Sequence, residues 1–151
     1  MTAQPYQKIL VPIDGSDSSQ AALQRGIAFA LAAGDQAVLS LLTVVDTRAY
    51  ANLASFDDQL LDQVTQDVKN SLDHDQEVAK KAGVAQVEYL IEFGSPKEMI
   101  AHQVPKELGT DLIVMGAGQP HAIERFILGS VAHYVSQAAA ADVLIVREPA
   151  K

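Results

Sequence analysis

Two glycine turns hold the residues best suited to chemistry in this chain. Gly116-Ala117-Gly118 directly follows an apolar run, residues 112–115 (LIVM). Gly129-Ser130 stands directly before a helical pattern. A glycine turn after a strand and a Gly-Ser pair opening a helix both present backbone N–H groups to an anion. A helix N-terminus contributes about 0.3–1 kcal/mol toward an anion, up to about 2 kcal/mol when partly buried. It cannot hold a polyphosphate alone, so burial of a base and further N–H donors must add to it. The ligand expected to face both turns is phosphate-bearing, ATP in the first instance.

Polar residues also close the other strands. Asp14-Gly15-Ser16 follows the first apolar run and Asp46 the second. Each has a plainer reading. Gly129-Ser130 is also an ordinary helix opening with Ser as cap. Asp14 caps a helix or ends a strand, and Asp46 is a turn residue. Val44 is core by type, so only its backbone could meet a ligand. His121 and Arg125 either meet phosphate charge or lie solvated in a loop.

Little points to catalysis or to a resident metal. There is no GxSxG elbow and no GxxxxGK[ST] loop. His74 is expected to be exposed. His102 and His133 lack partners at metal-ligand spacing, so no transition metal is expected. Mg²⁺ arriving with a nucleotide is compatible, because phosphates supply most of its oxygens. No general base for water attack on a phosphate stands out, so any ATP hydrolysis is expected to be slow.

Strands and helices must position these turns. Residues 8–14 (KILVPID) read as a central parallel strand, apolar without alternation. Pro12 lacks a ladder donor and belongs near its C-terminal end. Ser16 or Asp17 caps a helix that ends near Gly34. Residues 37–45 form the second strand, and residues 46–53 a loop. Phe56, Leu60, Val64, Val68 and Leu72 recur every four residues, one face of a helix running to about Lys81. Residues 87–93 form a third strand, less buried because it partly alternates. Ser95 and Pro96 then open a helix as N-cap and first residue. That helix ends at Gly109, with Pro105 placed to kink or shorten it. Residues 111–116 form the fourth strand, 130–141 the last helix and 143–146 the fifth strand. Repeated strand–helix alternation predicts an α/β domain with a parallel sheet, whose ligands bind where the strand order reverses.

Composition narrows the function classes. The chain has 151 residues, expected to form one domain, 1–151. It has no Cys, which excludes disulfides and thiol chemistry, and no Trp. Its net charge is −8, which argues against nucleic-acid partners and anionic membranes. No secretion signal and no membrane-spanning run is recognised, so a cytoplasmic location is expected.

VPIDGS closes the first strand, TVVD the second, and MGAGQPHAIERFILGSVAHYVSQAAAADVLIVR follows the fourth. On these segments the chain resembles universal stress proteins over nearly its whole length. ATP-binding members carry Gly, two residues, Gly, nine residues, then Gly-Ser or Gly-Thr. Here the first position is Gly116 and the second is Gln119, a departure, with Gly118 one place earlier. Pro120 to Leu128 supply the spacer, and Gly129-Ser130 completes the pattern.

The resemblance implies a Rossmann-like fold of the adenine nucleotide alpha hydrolase type. Its five-stranded parallel sheet has the order 3-2-1-4-5, with helices on both faces. It implies a homodimeric stress-response module binding ATP, or AMP or ADP, between strands 1 and 4. The implied contacts are Pro12, Asp14, Val44, Gly116, Gly118, Gly129, Ser130 and Val131. Asp14 would meet the nucleoside, and the backbone of Val44 the adenine. The glycines, Ser130 and Val131 would surround ribose and phosphates. Dimers would form through the last strand, residues 143–147 (VLIVR). Family members lacking the glycine motif leave a nucleotide-independent dimer as an alternative, and a slow ATPase or phosphotransferase is another. DGSDSS, from Asp14, is partly similar to the SGGxDS loop of ATP pyrophosphatases but lacks the Gly-Gly pair.

Overall fold

The computed structural model describes residues 5–48, 58–118 and 128–148. Its strands are β1 (Lys8–Pro12), β2 (Val38–Val45), β3 (Gln86–Phe93), β4 (Leu112–Gly116) and β5 (Asp142–Val146). All pair in parallel, in the order β3-β2-β1-β4-β5. The helices are α1 (Asp17–Ala33), α2 (Asp58–Lys81), α3 (Pro96–Glu98), α4 (Val104–Leu108) and α5 (Ser130–Ala138). A π-helical turn, Met99–Gln103, joins α3 to α4. No helix among the described residues is long and apolar enough to cross a membrane.

The continuous apolar runs are explained by burial on both faces of the sheet. Ile9 and Val11 pack with Leu23 and Ile27 of α1 and with Leu72 of α2. Leu10, between them, packs on the other side with Ile100, Val104 and Val135. Leu112 and Val114 divide from Ile113 and Met115 in the same way. Each such side chain, fully buried, contributes about 1.5–3 kcal/mol. β3 is an edge strand and only partly buried, as its alternation predicted.

Asp111 fixes the starting end of the central strands. Its carboxylate accepts the N–H of Gln7 at 2.9 Å and that of Lys8 at 3.0 Å. Its own N–H donates to the Lys8 carbonyl. β1 and β4 are thereby held together at the end opposite their glycine turns.

Ser95 is the N-cap of α3 and Pro96 its first residue, as expected, although the Ser95 hydroxyl makes no capping bond. Three local expectations need revision. The helix holding Pro105 is neither broken nor simply kinked. Instead Val104 donates its N–H to Met99, five residues back. The Pro105 ring would press on the carbonyl four residues earlier in an α-helix, and the wider turn just before it relieves that crowding. The last helix ends at Ala138 rather than near residue 141, with Ala139 already extended (φ −68°, ψ 141°). Alanine favours helix, but the chain must straighten to enter β5 at Asp142, and tertiary demand overrides propensity. In the segment expected as loop after β2, Thr47 and Arg48 are helical. Phe56 and the rest of that loop lie outside the described residues.

Candidate functional site

β1 and β4 lie side by side, and their connections leave to opposite faces of the sheet. This is the switch point, where the carboxyl ends of strands open a crevice. A cleft of about 240 Å³ lies there. Pro12, Asp14, Val44, Gly116, Gly118, Gly129, Ser130 and Val131 all line it. The eight residues expected from sequence thus converge on one cavity. Asp46 is not on its wall and is instead paired with Arg48. His102 and His133 are exposed and do not line it, although their helices do, and His74 is exposed on α2. Gln119, His121 and Arg125 lie outside the described residues. No group of three His, Asp or Glu that could hold a metal occurs among the described residues.

One end of the cleft is polar and built from backbone. Gly129 is the N-cap of α5 (φ −60°, ψ 159°), and among the described residues no side chain caps the helix. Ser130 is the first helical residue, as expected, rather than the cap of the plainer reading, and its side chain is exposed. The first-turn N–H groups of a helix have no partner within it. Here no capping side chain among the described residues takes them. By contrast α1 is capped, its Ser16 hydroxyl oxygen accepting the N–H of Ser19.

Two glycine contacts hold α5 against the β4 turn. Gly129 donates its N–H to the Ala117 carbonyl at 2.7 Å. Gly118 adopts φ +99°, and a Cβ there would lie 3.0 Å from the Cα of Gly129. Gly116 meets α1 from the other side, where a Cβ would stand 2.5 Å from the Ser18 hydroxyl oxygen. Gly116 excludes a side chain on packing grounds alone, Gly118 by its φ together with a tight contact, and at Gly129 a Cβ would crowd the Ala117 carbonyl oxygen at 3.3 Å.

The other end of the cleft is apolar, with Leu42, Val44, Pro96, Ile100 and Met115 on its walls. Sequence reasoning missed all of these but Val44. Their types announce burial, and nothing in type separates a core residue from a cavity wall.

β2 outruns β1 at this end. Their pairing stops at Pro12 opposite Leu42, with one further bond from the Ile13 N–H to the Leu42 carbonyl. The Thr43 hydroxyl then donates to the Ile13 carbonyl at 2.8 Å. Residues two apart in a strand turn their N–H and C=O to the same side. Val44 therefore directs its N–H and C=O toward the side where β1 has already ended.

Asp14 sits between the two ends. Its Oδ1 accepts both the N–H (2.9 Å) and the O–H (2.5 Å) of Ser16. Its own N–H makes a long contact to the Ser19 hydroxyl at 3.4 Å. Asp14 is therefore not the cap of α1, which is Ser16. Its side chain is held in place yet exposed.

This geometry is shared by known proteins. The profile of the universal stress protein family matches residues 5–147. The chain belongs to that family. A Staphylococcus haemolyticus relative bearing the universal stress protein name is 37% identical over 142 residues, covering 94% of this chain and 85% of its own. Universal stress protein UspA from Lactobacillus plantarum superposes with a TM-score of 0.83 at 32% identity, covering 97% of this chain and 100% of the other. A universal stress protein solved in complex with cAMP superposes at 0.70 with 28% identity, covering 96% and 98%. The five-stranded order and the crevice between β1 and β4 are thus seen in a universal stress protein fold.

Proposed function

We propose that this chain binds an adenine nucleotide, ATP or its AMP or ADP forms, and acts as a homodimeric regulatory module in a stress response. The observation that carries the reading is the uncapped N-terminus of α5 at one end of a cleft whose other end is apolar. That polarity matches a nucleotide, with phosphates at the amides of Ser130 and Val131 and the base among Leu42, Val44, Ile100 and Met115. The backbone of Val44 offers one donor and one acceptor, which suit the ring nitrogen and amino group of adenine. Guanine presents a carbonyl where adenine has its amine, so the same pair opposes it. Asp14 then faces the nucleoside, and Pro12 closes the floor at the end of β1. The cAMP complex of a related universal stress protein supports an adenine nucleotide in this fold.

The cleft's volume of about 240 Å³ lies below the roughly 300–1,000 Å³ of sites that enclose drug-sized ligands. The reading is therefore a buried nucleoside with phosphates at the mouth. Mg²⁺ would be held by those phosphates. No turnover is assigned, since no group in the cleft is placed as a general base. The whole chain acts as one domain, and the setting is the cytoplasm, where adenine nucleotides circulate.

The dimer is proposed to form through residues 143–147. Among the described residues β5 pairs only with β4, so its outer edge carries unpaired N–H and C=O groups. A second copy related by twofold symmetry satisfies them.

Gln119 in place of the motif's second glycine favours a second reading, a dimer that works without nucleotide. Thermal melting separates the two. Ligand at about 100 times its Kd adds about 2.7 kcal/mol, a rise of roughly 5–10 °C for a chain of this size. The expected result, from protein freed of copurified nucleotide, is a rise with ATP and Mg²⁺ but not with GTP. No rise at millimolar ATP would overturn the nucleotide reading and leave the nucleotide-independent dimer.

A further inference from the structure

Three serines at the start of α1 form a hydroxyl chain that the nucleotide reading leaves without a role. Ser16, Ser18 and Ser19 are 5%, 1% and 3% exposed, and all three line the cleft. The direction of each bond follows from what each atom can do. A carboxylate oxygen only accepts, so the Ser16 O–H donates to Asp14 Oδ1. The Ser16 oxygen accepts the N–H of Ser19 at 3.1 Å. Its proton is already committed, so at the 3.2 Å contact between the two hydroxyls Ser18 is the donor. Ser19 donates its own O–H to the Ser16 carbonyl at 3.0 Å. The chain therefore runs from Ser18 through Ser16 to Asp14, with every proton pointed toward the carboxylate.

This arrangement does more than cap a helix. A cap needs only the Ser16 oxygen and the Ser19 N–H. The bond from Ser16 to Asp14 uses the remaining proton of the same hydroxyl and fixes one carboxylate oxygen from two directions. Both Ser16 donors converge on Oδ1, while no such bond falls on Oδ2 among the described residues. The chain begins at Ser18, whose hydroxyl lies against the open face of Gly116. The carboxylate just beyond β1 is thus referenced to the glycine turn after β4, across the crevice that the nucleotide is read to occupy.

We propose that Ser16, backed by Ser18, is a positioning residue that holds Asp14 so that Oδ2 accepts a hydrogen bond from the nucleoside of the bound nucleotide. Ser16 does not touch the ligand in this role and acts through Asp14. The inference rests on the adenine-nucleotide reading. It goes further by assigning ligand orientation to a hydroxyl chain within the first turn of α1.

The test is a double-mutant cycle on the full chain, with ATP affinity read by calorimetry and, for weak variants, by NMR titration at millimolar ATP. Ser16→Ala is expected to weaken ATP binding about tenfold, and in an Asp14→Ala background by about twofold or less. Ser16→Thr, which keeps the hydroxyl, is expected to restore affinity to within about threefold. Ser16→Gly separates positioning from folding, because glycine is a tolerable N-cap. It should lose affinity like Ser16→Ala while its melting temperature stays near that of the unmutated chain. Unchanged affinity in Ser16→Ala, or an equal loss in both backgrounds, overturns the positioning role and leaves the nucleotide site standing. Failure of the unmutated chain to bind ATP overturns the site itself, and the positioning role with it.

Discussion

A Cβ placed on Gly116 would lie 2.6 Å from the carbonyl carbon of Ser18. The end of β4 and the first turn of α1 are therefore in backbone contact, and the contact crosses the switch point of the sheet. Gly116→Ala must push α1 or β4 aside, because the clash includes main chain rather than only a flexible side-chain tip. Overpacking of this kind costs about 1–3 kcal/mol. Urea denaturation should show that loss, and ATP binding should weaken because Ser16 caps α1 and moves with it.

Gly118 tests the turn from the other side. Its φ of +99° strains any L residue, and a Cβ there would meet the Cα of Gly129. Gly118→Ala is expected to destabilise by more than about 1 kcal/mol and to remove most of the thermal shift given by ATP. A variant that melts lower but keeps its full ATP shift would detach this turn from the nucleotide site.

Ser130 separates binding from stability. Its hydroxyl caps nothing, so Ser130→Ala should leave the unliganded melting midpoint within the range of about ±0.5 kcal/mol usual for surface changes. A hydrogen bond to a charged group contributes about 1.5–3 kcal/mol. ATP affinity should therefore fall by about tenfold or more, measured by calorimetry. Equal ATP affinity in the variant would leave the phosphates to the backbone alone.

Asp75 on α2 sets a pH dependence remote from the cleft. It is 2% exposed and accepts one long bond from Gln20 at 3.5 Å. Burial raises its carboxyl above the ordinary 3.8, opposed by the Gln20 bond and by His74. The folded state thus binds this proton more tightly than the unfolded chain. The contribution is most favourable at low pH and declines as pH rises from about 3.8 through the folded value. Asp75→Asn should raise the melting temperature at pH 7, and the gain should shrink as the pH is lowered toward 4. Melts across that range check both the sign and the window.

The β5 edge gives a test of the proposed dimer. The Val146 carbonyl faces β4, accepting the Ala117 N–H. By alternation Val143 and Ile145 turn their N–H groups outward. Ile145→Pro removes an outward donor and spares the bonds to β4. Sedimentation should move from dimer to monomer. A chain that is monomeric before substitution at micromolar concentration contradicts the dimer directly.

Much of this was legible in the sequence because burial on both faces writes itself as unbroken apolar runs such as LIVM before Gly116. Strand–helix alternation announced the parallel α/β class, while the strand order, the place of the switch point and the contacts at Pro12, Asp14 and Val44 came from the family resemblance. The start of the last helix at Ser130 was legible, but serine is the stronger cap by type, and the plainer reading of Ser130 as the cap gives way to Gly129. The bond from Gly129 to Ala117 sets the boundary one residue earlier, and it joins segments that sequence cannot bring together. The π-turn escaped for a similar reason. Pro105 announces trouble in a helix but not which earlier carbonyl will yield. The chain from Ser18 to Asp14 was hidden inside DGSDSS, where three serines look alike and only their directions distinguish them.

The overhang of β2 beyond β1 has a consequence for how such a site drifts over time. A base read by the main chain of Val44 is indifferent to which side chain Val44 carries, provided the strand keeps its length. Mutation can erase the residue and preserve the recognition. Selectivity of this kind is inherited as geometry, and two relatives that share no letter at this position can still prefer the same base.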